Sequence, residues 1–210
     1  MLLDMLVHDI WLTLGVWTAL YASDYALTLL TARLLNAGGG RGVALEKDIE
    51  LTLIFQQDVR AQRWLSPRPI IVLLALDGYL WYLWQSLVRE GAALAAFEAV
   101  MGALFLLEVV IHLRHFRNLA FLLHAWRSDG LQGVRGCARW LSYRLSMFEL
   151  FAFAVLYALF FGLTGRWFFV GGAITTLLSA LSHARFARKP RLAPVPSQPP
   201  PASDSEEGQD

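Results

Sequence analysis

Five carboxylates stand where apolar sequence should exclude them: Asp24, Asp77, Glu98, Glu108 and Glu149 each fall inside a stretch long enough to cross lipid. A charge at the bilayer centre costs about 2.5–3.5 kcal/mol on insertion scales, so these side chains are expected to face a bundle interior. No Lys or Arg occupies the central part of any of these stretches. The acids must then be protonated, hydrogen-bonded, hydrated or neutralised by a bound cation. That is the chemistry of a proton or cation path, to which His112 adds a group that titrates near neutrality.

The densest constellation is Glu98, Phe105, Glu108, His112 and His115, which share an arc of about 100° on one helix. Glu108 and His112 are one turn apart and can share a proton. Glu108, His112 and His115 could also supply metal ligands if other helices contributed more. The blander reading places both histidines at the headgroup boundary beside Arg114 and Arg117, where they only anchor the helix. His112 and His183 are predicted at similar depth on different helices, which admits an alternative as axial haem ligands. Trp17, Tyr21, Asp24, Thr28 and Thr31 line one face of an earlier helix, as a hydrated path or as interhelical glue. Asp77 precedes Trp81 and Trp84, which suit an interfacial belt, and Glu149 gains from a helix amino terminus. Gly172, Thr176 and Ser179 form a small-residue stripe suited to close helix packing.

The elements that must hold these residues are spans near 10–35, 69–87, 91–112, 144–163 and 167–183. The last is the weakest, being diluted by glycine, threonine and serine, so four spans are the alternative. Charged residues make up 17% of the chain against about 25% in soluble domains, and mean hydropathy is +0.46. The expected class is therefore all-α, an integral membrane helical bundle over residues 1–189. Arg and Lys concentrate in alternate connections (36–68 and 113–143) and after the last span, which puts the amino terminus outside and the carboxyl terminus in the cytoplasm. Leu45, Ile49 and Leu53, and again Leu113, Phe116, Ala120, Leu123 and Trp126, recur at helical spacing among charges. They predict amphipathic segments along the inner leaflet. Residues 190–210 are proline-rich, then acidic, and read as a disordered cytoplasmic tail.

Other chemistries find no support. Cys137, the only cysteine, excludes an intramolecular disulfide and a multi-cysteine metal site. There is no Gly-x-Ser-x-Gly elbow or His-Glu-x-x-His helix, and Gly38–Gly40 runs into Arg41 and Gly42 instead of a phosphate-binding Lys-Ser/Thr. The five histidines, His8, His112, His115, His124 and His183, are too few for a membrane di-iron oxygenase. A net charge of +1 gives no nucleic-acid surface. The amino terminus carries Asp4 and Asp9 where a secretory leader would be basic, so its first helix is read as retained.

IELTLIFQQDVRAQRWLSPR at Ile49–Arg68, HLRHFRN at His112–Asn118 and the pair Gly171–Gly172 resemble a group of bacterial multi-span proteins with no assigned activity. The resemblance implies an integral protein of the bacterial inner membrane and brings no catalytic residues with it. The expected function is conduction, exchange or sensing of protons or cations through an acidic bundle interior; no enzymatic role and no cofactor is required. One alternative is a non-catalytic scaffold or accessory subunit whose cytoplasmic segments meet a protein partner or anionic lipid. The other is a haem-binding redox protein.

Overall fold

The computed structural model describes residues 2–38, 56–127 and 139–187. The predicted amphipathic segment around 45–53, Cys137 and the tail 190–210 lie outside the described residues. Helices α1 (Leu2–His8), α2 (Ile10–Gly38), α3 (Gln56–Arg60), α4 (Pro67–Leu83), α5 (Leu94–Arg127), α6 (Arg139–Thr164) and α7 (Trp167–Ala187) follow in order. A π-helical turn, Trp84–Arg89, extends α4. No strand occurs among the described residues.

Four helices are long and apolar enough to cross a membrane: Pro67–Arg89, Leu94–Ala120, Ser142–Thr164 and Trp167–Ala187. The first and last expectations therefore exchange places. The segment 167–183, expected to be weakest, qualifies by itself, whereas α2 qualifies only jointly with α1, from which it is bent by 107°. Hydroxyls and one acid (Thr13, Thr18, Ser23, Asp24, Thr28, Thr31) dilute α2, although its 29 residues would extend about 43 Å. At the bend, one carboxylate oxygen of Asp9 accepts the amide N–H groups of Trp11 and Leu12 at 3.0 and 3.1 Å, which caps α2.

α5 is also longer than the span expected at 91–112. It runs without a break for 34 residues, about 51 Å, because neither Gly nor Pro occurs between 103 and 127. The predicted interfacial segment beginning at Leu113 is thus a continuation of the same rod.

Lateral packing follows the order α4, α2, α5, α7, α6. α2, α5 and α7 run parallel to one another and antiparallel to α4 and α6. The end where α2, α5 and α7 begin is called upper. There Leu6, Val7 and Ile10 of the α1 region pack with Trp17, Leu80, Phe97, Met101, Phe105 and Phe168. The indole N–H of Trp84, in the π-turn, donates to the Val7 carbonyl at 3.0 Å and so pins α1 over this core. Lower down, Val110, Leu150, Tyr157 and Ala180 join α5, α6 and α7. The Tyr157 hydroxyl donates to the Leu106 carbonyl at 3.1 Å. At the lower end of α2, α3 adds Val59 to Leu29 and Ala32. α6 turns Phe148, Phe151, Val155, Leu159 and Leu163 outward, a surface that suits lipid.

Candidate functional site

The parallel pair α2 and α5 holds a common register. Thr13 Oγ1 faces Met101 Sδ at 3.9 Å, Ser23 Oγ faces His112 Nε2 at 2.7 Å and Thr28 Oγ1 faces His115 Nε2 at 3.3 Å. These partners are 88, 89 and 87 residues apart, so the two helices scarcely drift past one another. Each polar residue on this face of α2 therefore has a fixed counterpart on α5.

The upper part of the seam is apolar. Trp17 stacks on Phe105 with ring centroids 6.0 Å apart and planes 11° from parallel. Phe168 of α7 meets Phe105 edge-on at 6.5 Å. The Trp17 indole nitrogen is buried and has no hydrogen-bond partner among the described residues.

Below this stack the seam turns polar. His112 Nδ1 lies 2.7 Å from the Glu108 carbonyl oxygen, which can only accept, so Nδ1 carries a proton. Its Nε2 meets Ser23 Oγ at 2.7 Å, and that hydroxyl is also 2.9 Å from the Leu20 carbonyl. The serine has one proton for two neighbours. With a neutral ring, the hydroxyl must donate either to Nε2 or to Leu20. With a protonated ring, Nε2 donates to Ser23 and Ser23 donates to Leu20, so both contacts are made at once. Beside this switch, Glu108 Oε2 is buried without a hydrogen-bond partner. Its nearest imidazole nitrogen, His112 Nδ1, is 3.9 Å away, beyond hydrogen-bond reach. His115 Nε2 lies 2.9 Å from Asp24 Oδ1, an ion-pair distance without hydrogen-bond alignment, while Thr28 supplies the aligned contact.

Asp24, Glu108, His112 and His115 are thus brought together, and the remaining predicted residues are not. Asp77, on α4, accepts from the Thr18 hydroxyl at 3.2 Å. Glu98 pairs with Arg166 at 2.9 Å, and the same guanidinium reaches Asp4 at 2.7 Å. Glu149 pairs with Arg114 at 3.5 Å and Arg117 at 2.8 Å. The expectation that these acids lack basic counter-ions is therefore corrected for Glu98 and Glu149. Glu98 lies near the start of α5, where Arg166 of the α6–α7 turn reaches it, and Glu149 faces two arginines within the long α5 itself. Arg166 is raised above its ordinary range by hydrogen bonding to Asp4, so this cation does not titrate. Among the described residues no three His, Cys, Asp or Glu side chains form a metal-ligand group, including Glu108, His112 and His115. His183 turns to Ser146 of α6 at 2.7 Å, whereas His112 turns to α2, so the two are not arranged as a haem-ligand pair.

Ser23, Thr18, Arg166, Arg114 and Arg117 went unmarked as site residues in the sequence. Arg166 did leave a signal: it is the one basic residue in a short turn between apolar stretches, at the same depth as Glu98 four residues into α5. Ser23 left none, since only the register against α5 places it on His112. No protein-family model, curated protein or solved structure matches this chain, so a functional reading rests on the arrangement of its own residues.

Proposed function

We propose that this chain is an integral membrane protein of five spans (α2, α4, α5, α6 and α7) in the bacterial inner membrane, which binds and exchanges protons at the α2–α5 seam. The observation that carries this reading is the His112–Ser23–Leu20 chain. Its hydrogen bonds are complete only when His112 holds a second proton, and beside it lies Glu108 Oε2, buried without a hydrogen-bond partner among the described residues. Asp24 and His115 give the proton a neighbouring carboxylate–imidazole pair on the same seam. Asp77 of α4 and Tyr21 and Tyr25 of α2 are further titratable groups near this stretch.

The test is proton uptake by the purified protein between about pH 5 and pH 8, where imidazole changes charge. A folded double variant, Glu108→Gln with His112→Gln, is expected to take up about one proton fewer per chain than the wild type. Unchanged uptake would make the seam purely structural. The second reading, a non-catalytic scaffold meeting anionic lipid or a partner, would then lead. The observation favouring that reading is that Glu98 and Glu149 already serve as interhelical ion-pair partners.

The proposed orientation has its own check. With Cys137→Ser as background, Gly91→Cys and Gly165→Cys are expected to react with an impermeant thiol reagent from outside, and Gly130→Cys from the cytoplasm. The reverse pattern would invert the topology.

A further inference from the structure

We infer that the proton site at Asp24, Glu108, His112 and His115 is loaded from one face only, the lower one, and that the stacked Trp17–Phe105 pair closes it from above. The inference rests on the proposed proton-binding reading and adds a side and a barrier to it. Two acids on α5 mark the ends of the closed stretch. Glu98, bound to Arg166, stands ten residues above Glu108, about 15 Å along the helix. Between them the seam is filled by Met101 and Phe105 of α5, Trp17 of α2 and Phe168 of α7, none more than 6% exposed. The Thr13 hydroxyl, which faces Met101 at this level, donates to the Leu6 carbonyl, so its proton is committed, and apolar constrictions of this kind exclude water.

Below the pair the side chains are more open than those within it. Side-chain exposure is 11% at Glu108, 12% at His112, 21% at His115 and 25% at Asp24. The hydroxyls of Ser23 and Thr28 supply relay groups on this lower side. The barrier also contains one misfit, the buried Trp17 indole N–H without a partner. An unsatisfied buried donor is costly, and phenylalanine at the same place would avoid that cost. That N–H could hold a water within the barrier if the rings part.

Accessibility tests this separately from proton uptake. In vesicles of known orientation, with Cys137→Ser as background, Ser23→Cys and Glu108→Cys are each exposed to a small charged thiol reagent from either side. Labelling from the lower face is expected to be faster than from the upper face by more than about tenfold. Adding Phe105→Ala should bring the two rates close together. If that variant does not fold, Phe105→Leu removes the ring stack with a smaller loss of volume and serves the same purpose. Equal labelling from both faces in the Ser23→Cys or Glu108→Cys protein, or labelling from above alone, would overturn one-sided loading. One-sided labelling that persists in a folded Phe105 variant would overturn the role of the aromatic pair. Neither result depends on the uptake measurement, so a failure of this inference is distinguishable from a failure of the proton-binding reading.

Discussion

Arg166→Ala is expected to lower the stability of the folded protein in detergent by about 2–4 kcal/mol, somewhat less than the 3–5 typical of breaking a fully buried ion pair. Glu98 is the reason. Its side chain is only 7% exposed and its carboxylate lies 2.9 Å from the guanidinium, so losing the arginine leaves a buried charge alone. The discount reflects Arg166 itself, which is 32% exposed and already partly hydrated. The same substitution removes the Arg166–Asp4 contact and so loosens α1, which the Trp84–Val7 and Thr13–Leu6 hydrogen bonds also hold. Combining Arg166→Ala with Glu98→Gln should restore most of the loss, because a neutral amide can be buried at far lower cost than a carboxylate. Thermal unfolding of the two variants reads the difference. A single variant as stable as the wild type would show that the ionic knot contributes nothing, and a double variant no better than the single would place the loss elsewhere.

Gly171→Val should be comparably severe. A Cβ built on Gly171 collides with the Ala99 carbonyl oxygen, and one on Gly102 collides with the Phe168 carbonyl, so α5 and α7 meet backbone to backbone. Overpacking costs about 1–3 kcal/mol where side chains can give way. Here the obstructing atoms belong to the main chain of a helix, which puts both positions at or above the top of that range. Gly172→Ala is expected to be milder, since the nearest atoms it meets, Cδ1 and Cβ of Leu106, belong to a side chain and not to the main chain. Gly162, on α6 with open space around its position, is the control: Gly162→Ala should be neutral or gain up to about 1 kcal/mol from helix propensity. The ranking Gly162, Gly172, Gly171 in recovered folded protein tests the close approach. An equal effect at all three would contradict it.

Helix content and approximate span positions were legible because their causes are local. Long apolar runs, Asp9 before α2, prolines at the start of α4 and glycine in the short α6–α7 turn each act within a few residues. Boundaries were less legible where a charge suggested an end that the backbone did not make. Arg114 and Arg117 looked like the edge of the membrane, yet without Gly or Pro the helix continued through them to Arg127. The grouping of Glu108, His112 and His115 on one face was likewise periodic and local, and so was the face carrying Asp24 and Thr28.

Which residues meet was decided by tertiary structure alone. Periodicity assigns a residue to a face of its own helix, but it says nothing of register between helices separated by eighty or more residues. The offset near 88 residues between α2 and α5 is what joins Ser23 to His112 and Asp24 to His115. The antiparallel return of α6 brings Glu149 to Arg114 and Arg117, and the α6–α7 turn carries Arg166 to Glu98 and Asp4. The sequence thus determined that acids lie within apolar helices. Packing decided which were neutralised, Glu98 by an arginine of the α6–α7 turn and Glu149 by two arginines within α5, and which were left beside histidine, because only the register between helices sets which side chains face one another.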